Sequence, residues 1–275
     1  MKIRSTQGIL ITLLVATLSW ASSAFSQPTP NRVVSLDYCA DQFALGLLPR
    51  SSIAALSMDA ARDFSYMRAA AKGLPQVRPS AENVLAFQPD TVIRSYGGGP
   101  NAKKFYENLG IRVVQIGYNN SIKQVKTEIR RLAKALNQEA SGAALLNDME
   151  SRLASIPRTN QPKSVLYVTP GGVTSGSQTL VDELISAAGL KNYLEQPGWR
   201  SLPLEELTLR QPELIATAFY GTSTNHKNFW SAARHPIIQR EFAKTQKVAL
   251  EGATTACGGW FLVDAIEILA AGAES

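Results

Sequence analysis

The chain has 275 residues, with 28 Lys and Arg against 22 Asp and Glu, a formal net charge of +6, two histidines and two cysteines. A surplus this small, with no run rich in Lys or Arg, argues against a nucleic-acid or membrane-surface partner and reads as solubility. Two histidines, His226 and His235, nine residues apart (235 − 226), argue against the clustered ligands that a free Zn²⁺ or Mn²⁺ site requires.

The first 26 residues carry the pattern of a cleaved secretion signal: a basic start at Lys2 and Arg4, an apolar run from Ile9 to Leu18, and the small-residue exit Ala21-Ser22-Ser23-Ala24-Phe25-Ser26. The run is shorter than the roughly 20 residues of a membrane span. Its removal leaves 275 − 26 = 249 residues and lowers the charge to +4, since Lys2 and Arg4 leave and the segment holds no acid. With no Cys near the cleavage site, a soluble periplasmic protein is expected, not a lipid-anchored one.

Strands are predicted at 32–36, 52–56, 91–94 and 112–116, and again at 164–168, 214–218 and 247–250, with intervening helical or loop stretches. Short apolar strands alternating with crossovers imply parallel pairing and an α/β fold. A helix over 179–188 ends at Gly189, which reads as its C-terminal cap. Between the halves, Ile122, Val125, Ile129, Leu132 and Leu136 mark one amphipathic helix, and Leu145, Met149, Leu153 and Ile156 a second, ending at Pro157. The expected organisation is two Rossmann-like lobes with parallel sheets, 27–137 and 158–275, joined by a long rigid helix over 138–157.

One phrase occurs twice. Ser80-Ala81-Glu82-Asn83-Val84-Leu85-Ala86-Phe87-Gln88-Pro89-Asp90 and Pro203-Leu204-Glu205-Glu206-Leu207-Thr208-Leu209-Arg210-Gln211-Pro212-Glu213 each read as a short capped helix, a stop at Pro and then an apolar strand. The Glu near each helix start suits the helix dipole. The two copies stand 123 residues apart (205 − 82), which points to two related lobes.

Ligands of open parallel sheets sit beyond the carboxyl ends of the strands. That rule places Asp37 and Tyr38, Ser95 and Tyr96, Thr169 to Gly172, Phe219 and Tyr220, and Glu251 to Thr254 around one groove. Aromatic faces with polar tips suit a large, flat, partly apolar ligand. Cys39 and Cys257 form an even pair for an oxidising compartment and read as a disulfide, or alternatively as a soft-metal or reactive thiol pair.

These features together resemble the class III periplasmic substrate-binding proteins, which deliver iron-siderophores, haem or vitamin B12 to ABC importers. The resemblance rests on the secretion signal, Arg32-Val33-Val34-Ser35-Leu36, both Glu-to-Pro phrases, the mid-chain helix, and Ser186-Ala187-Ala188-Gly189-Leu190-Lys191-Asn192, and it spans the mature chain. It implies that Glu82 and Glu205, one on each lobe, dock into the membrane subunits of the importer. It also implies a monomer with no resident cofactor. By the same resemblance Trp199 stands where a B12 binder has a cleft Trp, while Gln76 takes the place of the first-lobe cleft Trp. Pro75 stands near the position of the haem ligand Tyr. The arginines an anionic siderophore would want are not evident beyond Arg78, Arg94 and Arg200. The implied ligand is therefore a ferric siderophore or a cobalamin-type corrinoid.

Two competing classes are a thiol-dependent metal-ion binder and an exported α/β enzyme. Against the enzyme, Gly171 to Ser177 imitates a phosphate loop but has Ser177 where the Lys should be, and no Gly-x-Ser-x-Gly or Gly-x-Gly-x-x-Gly follows a strand.

Overall fold

The structure is a computed structural model that describes residues 31–157, 160–219 and 231–274. The expected secretion signal, Tyr220 and His226 lie outside the described residues.

In the first lobe, β1 (Val33–Ser35), α1 (Tyr38–Leu47), β2 (Ile53–Ser57) and the short β3 (Gln76–Val77) precede α2 (Ala81–Leu85), β4 (Thr91–Arg94), α3 (Ala102–Asn108) and β5 (Arg112–Gln115). Two helices follow, α4 (Ile122–Ala135) and α5 (Glu139–Ala154). The second lobe opens with β6 (Ser164–Val168), β7 (Val173–Ser175), α6 (Leu180–Ala187), β8 (Lys191–Asn192) and β9 (Trp199–Ser201). It closes with α7 (Leu204–Leu209), β10 (Leu214–Ala218), α8 (Pro236–Lys244), β11 (Gln246–Leu250), α9 (Gly252–Thr255) and α10 (Leu262–Glu274).

The first sheet runs β3-β2-β1-β4-β5 and the second β11-β10-β6-β8, every pair parallel. Set side by side, β2-β1-β4-β5 matches β8-β6-β10-β11. In both lobes the Glu-bearing helix, α2 or α7, feeds the strand beside the opening strand, so the repeated phrase marks a repeated topology. Val33, Val34, Val92 and Ile93 are wholly buried, as are Leu214, Ile215 and Ala216. Such unbroken apolar runs are what a parallel sheet covered on both faces demands.

The copies differ in detail. Ser80 caps α2 by accepting from the Asn83 N–H, whereas Pro203 precedes α7 and supplies no side-chain cap, which corrects the expectation of two capped helices. The segment that imitates a phosphate loop contains β7, paired antiparallel with β9 in a two-stranded sheet that, among the described residues, has no counterpart in the first lobe. Gly189 does close α6, with a positive φ of 75°.

The α4 helix buries Val125, Ile129 and Leu132, and Gly142 lets α5 cross it closely: a Cβ there would stand 2.3 Å from that of Ala133. At 16 residues, α5 is about 24 Å long, and it packs on both α1 and α10. The lobes also share an apolar core. Trp260 lies edge-on to Phe43 of α1, their ring centroids 5.8 Å apart, and fills the space over Gly46, where a Cβ would come within 2.2 Å of the indole. Tyr66 stacks on Phe261 at 4.5 Å and donates to Asp264 at 2.7 Å. Arg152 of α5 donates to Asp264 at 2.6 Å and to Glu267 at 2.9 Å, and Arg68 pairs with Glu251. The long helix is thus one of several ties between the lobes.

Candidate ligand cleft

A cavity of about 430 Å³ opens between the lobes. The first lobe contributes Tyr38 and Phe43 from α1, Ser95 and Tyr96 from the loop after β4, and Ile116 to Asn119 after β5. The second contributes Leu180, Val181 and Leu184 of α6, Trp199 of β9, and Thr255 to Gly258. Cys39 and Cys257 both line it and are joined in a disulfide, their Cα atoms 5.6 Å apart, which ties the lobes covalently at the cleft.

Asp37 sets the first-lobe wall. It caps α1 by accepting from the Ala40 N–H at 2.9 Å. The same carboxylate accepts from Ser95 N at 2.7 Å, Ser95 Oγ at 2.6 Å, Tyr96 N at 3.1 Å and Gly97 N at 2.9 Å. Buried to 3 % exposure, it pins the start of α1 to the loop that carries Tyr96. Gly97 permits this close approach, since a Cβ there would stand 2.3 Å from the Leu36 carbonyl oxygen. Arg94 supports the loop from below, donating to the carbonyls of Gly97 at 2.8 Å and Gly99 at 2.9 Å.

The rings of Tyr38 and Tyr96 meet edge to face at 6.1 Å, and Phe64 braces Tyr38 at 5.0 Å. Burial, then the charges of Asp37 and Asp59, push the Tyr38 phenol above its ordinary pKa. Burial, then Tyr38, Asp37, Asp59 and Asp41, do the same for Tyr96. Both phenols therefore stay protonated at neutral pH. Trp199 is half exposed, and its ring stands 6.1 Å from that of the buried Tyr167.

Of the expected groove residues, Tyr38, Ser95, Tyr96 and Trp199 line the cavity, with Asp37 packed directly behind. Thr169 to Gly172 do not; the Pro170 carbonyl accepts from Ser231 at 2.6 Å and the loop turns back into β7. Phe219, at a positive φ of 65°, packs over Gly252, and Glu251 is engaged by Arg68. Gln76 lies exposed on β3 and is not among the lining residues, and neither are Arg78, Arg94 and Arg200. Tyr118, 84 % exposed, and the first turn of α6 were missed. Tyr118 follows β5 and so obeys the same strand-end rule; α6 presents its helix start, which that rule does not cover. Glu82 and Glu205 are exposed in the first turns of α2 and α7.

Among the described residues, no group of three or more His, Cys, Asp or Glu side chains is arranged to hold a metal ion, and no cysteine is free. No described helix is long and apolar enough to cross a membrane.

Residues 33–233 match the family model described as periplasmic binding protein, and the chain belongs to that family, the class III solute-binding proteins of ABC importers. Its members are solute-binding proteins, not enzymes. The fold is similar to that of the periplasmic haem-binding protein HutB of Vibrio cholerae, at 21 % identity and TM-score 0.68 over 86 % of this chain and 97 % of that one. It is also similar to the periplasmic vitamin B12-binding protein BtuF of Vibrio cholerae, at 19 % identity and TM-score 0.61 over 90 % and 97 %. A third similar structure is a possible iron-binding (periplasmic solute-binding) protein from Staphylococcus epidermidis, at 16 % identity and TM-score 0.68 over 90 % and 100 %. A search of curated proteins returned no match.

Proposed function

We propose that this protein is exported to the periplasm through a cleaved signal, binds a chelated metal compound in the cleft between its lobes, and hands it to an ABC importer. The cargo is a ferric siderophore or a cobalamin-type corrinoid. The observation that carries this reading is the aromatic cavity, walled by Tyr38, Tyr96, Tyr118 and Trp199, between two lobes of repeated topology. Such a surface stacks on a flat apolar ligand while phenol and indole donors fix its orientation.

Glu82 and Glu205 are the docking groups: they stand at equivalent points of the two lobes, each exposed in a helix start. The protein acts as a monomer and performs no chemistry of its own. The disulfide at the cleft speaks against a thiol-dependent metal site, since both sulfurs are already bonded to each other.

The test is the double variant Glu82→Arg, Glu205→Arg. Uptake by the reconstituted importer should be abolished while calorimetric affinity for the cargo is unchanged. Lost affinity in the purified variant would refute the docking role.

A further inference from the structure

The charge on the ligand is written into the cleft. Among the described residues that line it, none is Lys, Arg, His, Asp or Glu. The arginines nearest in sequence are used elsewhere: Arg94 is committed to the carbonyls of Tyr96, Gly97 and Gly99, and Arg200 lies beside Glu205 in a separate surface depression. Behind the aromatic wall, by contrast, stand acids. Asp37 and Asp41 are buried at 3 % and 0 % exposure, and Asp59 lies close enough to act on both Tyr38 and Tyr96.

Resting on the receptor reading above, we infer that the ligand is a metal chelate of no net negative charge, its metal already fully coordinated by the organic part. Uncharged ferric hydroxamates and corrinoids share this chemistry; ferric catecholates and haem, with their phenolate or carboxylate charges, do not. An anion entering this cleft would give up its hydration with no cation among the described lining residues to replace it, and it would do so with the buried Asp37 and Asp41 behind the wall. Among the described lining residues the metal would meet no carboxylate, imidazole or thiolate, and burial holds the Tyr38 and Tyr96 phenols protonated, so the organic part must complete the metal's coordination. Those phenols suit the neutral carbonyl and amide oxygens at the rim of such a chelate.

Calorimetry of the disulfide-bonded mature protein would use four probes: cyanocobalamin, a neutral ferric trihydroxamate, a ferric tris-catecholate and haemin. Binding of one of the first two, with both anionic probes weaker by roughly 100-fold or more, is the expected result, like charges across a binding site costing several kcal/mol. Which neutral probe binds separates the corrinoid from the hydroxamate source. Asn119→Lys, on an irregular loop at the cleft, should then narrow the discrimination against the anions. An anionic chelate bound as tightly as the neutral ones would overturn the inference and leave the receptor reading standing. Binding of none of the four would overturn the receptor reading itself.

Discussion

Replacing Asp37 by alanine should loosen the cleft wall and the start of α1 together. The substitution removes the acceptor of five hydrogen bonds, from the N–H groups of Ala40, Ser95, Tyr96 and Gly97 and from the Ser95 hydroxyl. A buried donor left without a partner costs about 1–3 kcal/mol. Five such losses summed without relaxation would rival the whole stability of a typical domain, roughly 5–15 kcal/mol. Water can enter the vacated space, however, and the loop that carries Tyr96 is partly exposed. The expected net loss is therefore about 3–5 kcal/mol, at the upper end for single substitutions. For a chain of this size, each kcal/mol lowers Tm by roughly 2–4 °C, so differential scanning calorimetry should register a fall of about 6–20 °C. Asp37→Asn keeps one oxygen and should fall between variant and parent. The oxygen that serves Ser95 N, Tyr96 N and Gly97 N can be retained, while the other, which serves Ala40 N and Ser95 Oγ, becomes a donor. Ligand affinity measured well below either Tm should drop as well, because the loop positions Tyr96. A melting temperature for Asp37→Ala within about 2 °C of the parent would refute the reasoning.

Cys39→Ser with Cys257→Ser opens a loop of 218 residues, for which chain-entropy models predict about 5 kcal/mol; urea titrations of the oxidised parent and the variant should differ by a large part of this, and the variant should release ligand faster. Trp260→Ala should cost about 3–5 kcal/mol through the cavity left against Phe43 and Gly46, and equilibrium denaturation that shows under 1 kcal/mol would contradict a shared core. Asp41, buried and raised to about 6 chiefly by desolvation, binds its proton more tightly folded than unfolded. Its neutral form therefore favours the native state below about pH 4, and that advantage is lost as pH rises through about 6. Asp41→Asn should flatten this segment of the stability-versus-pH curve, and an unchanged slope between pH 4 and 7 would count against it.

What the sequence revealed follows the range of the forces involved. The strands at 91–94, 164–168 and 214–218 were legible to the residue, because burial on both faces leaves an uninterrupted apolar run that turn residues bracket. The doubled Glu-to-Pro phrase revealed the repeated topology, since Pro stops a helix wherever it stands. The β7–β9 pair was hidden: three residues each, one strand among glycines and serines, with a pairing set only by tertiary contact. Tyr38, Tyr96 and Trp199 could be placed from strand ends and resemblance, whereas the α6 wall depends on how a helix start faces the opposite lobe. Asp37 was visible as a strand-end acid, but its role as the hub of five bonds needed coordinates, because its partners stand 58 to 60 residues away.

The seam of Trp260, Tyr66 and Arg152, together with the disulfide, bears on how the importer distinguishes a loaded receptor from an empty one. Lobes fastened at several points cannot swing far apart, so small-angle scattering of the free and bound protein should superimpose. On the receptor reading proposed above, occupancy is then sensed through the exposed part of the cargo and the rim side chains Tyr118 and Trp199, not through a change in the spacing of Glu82 and Glu205.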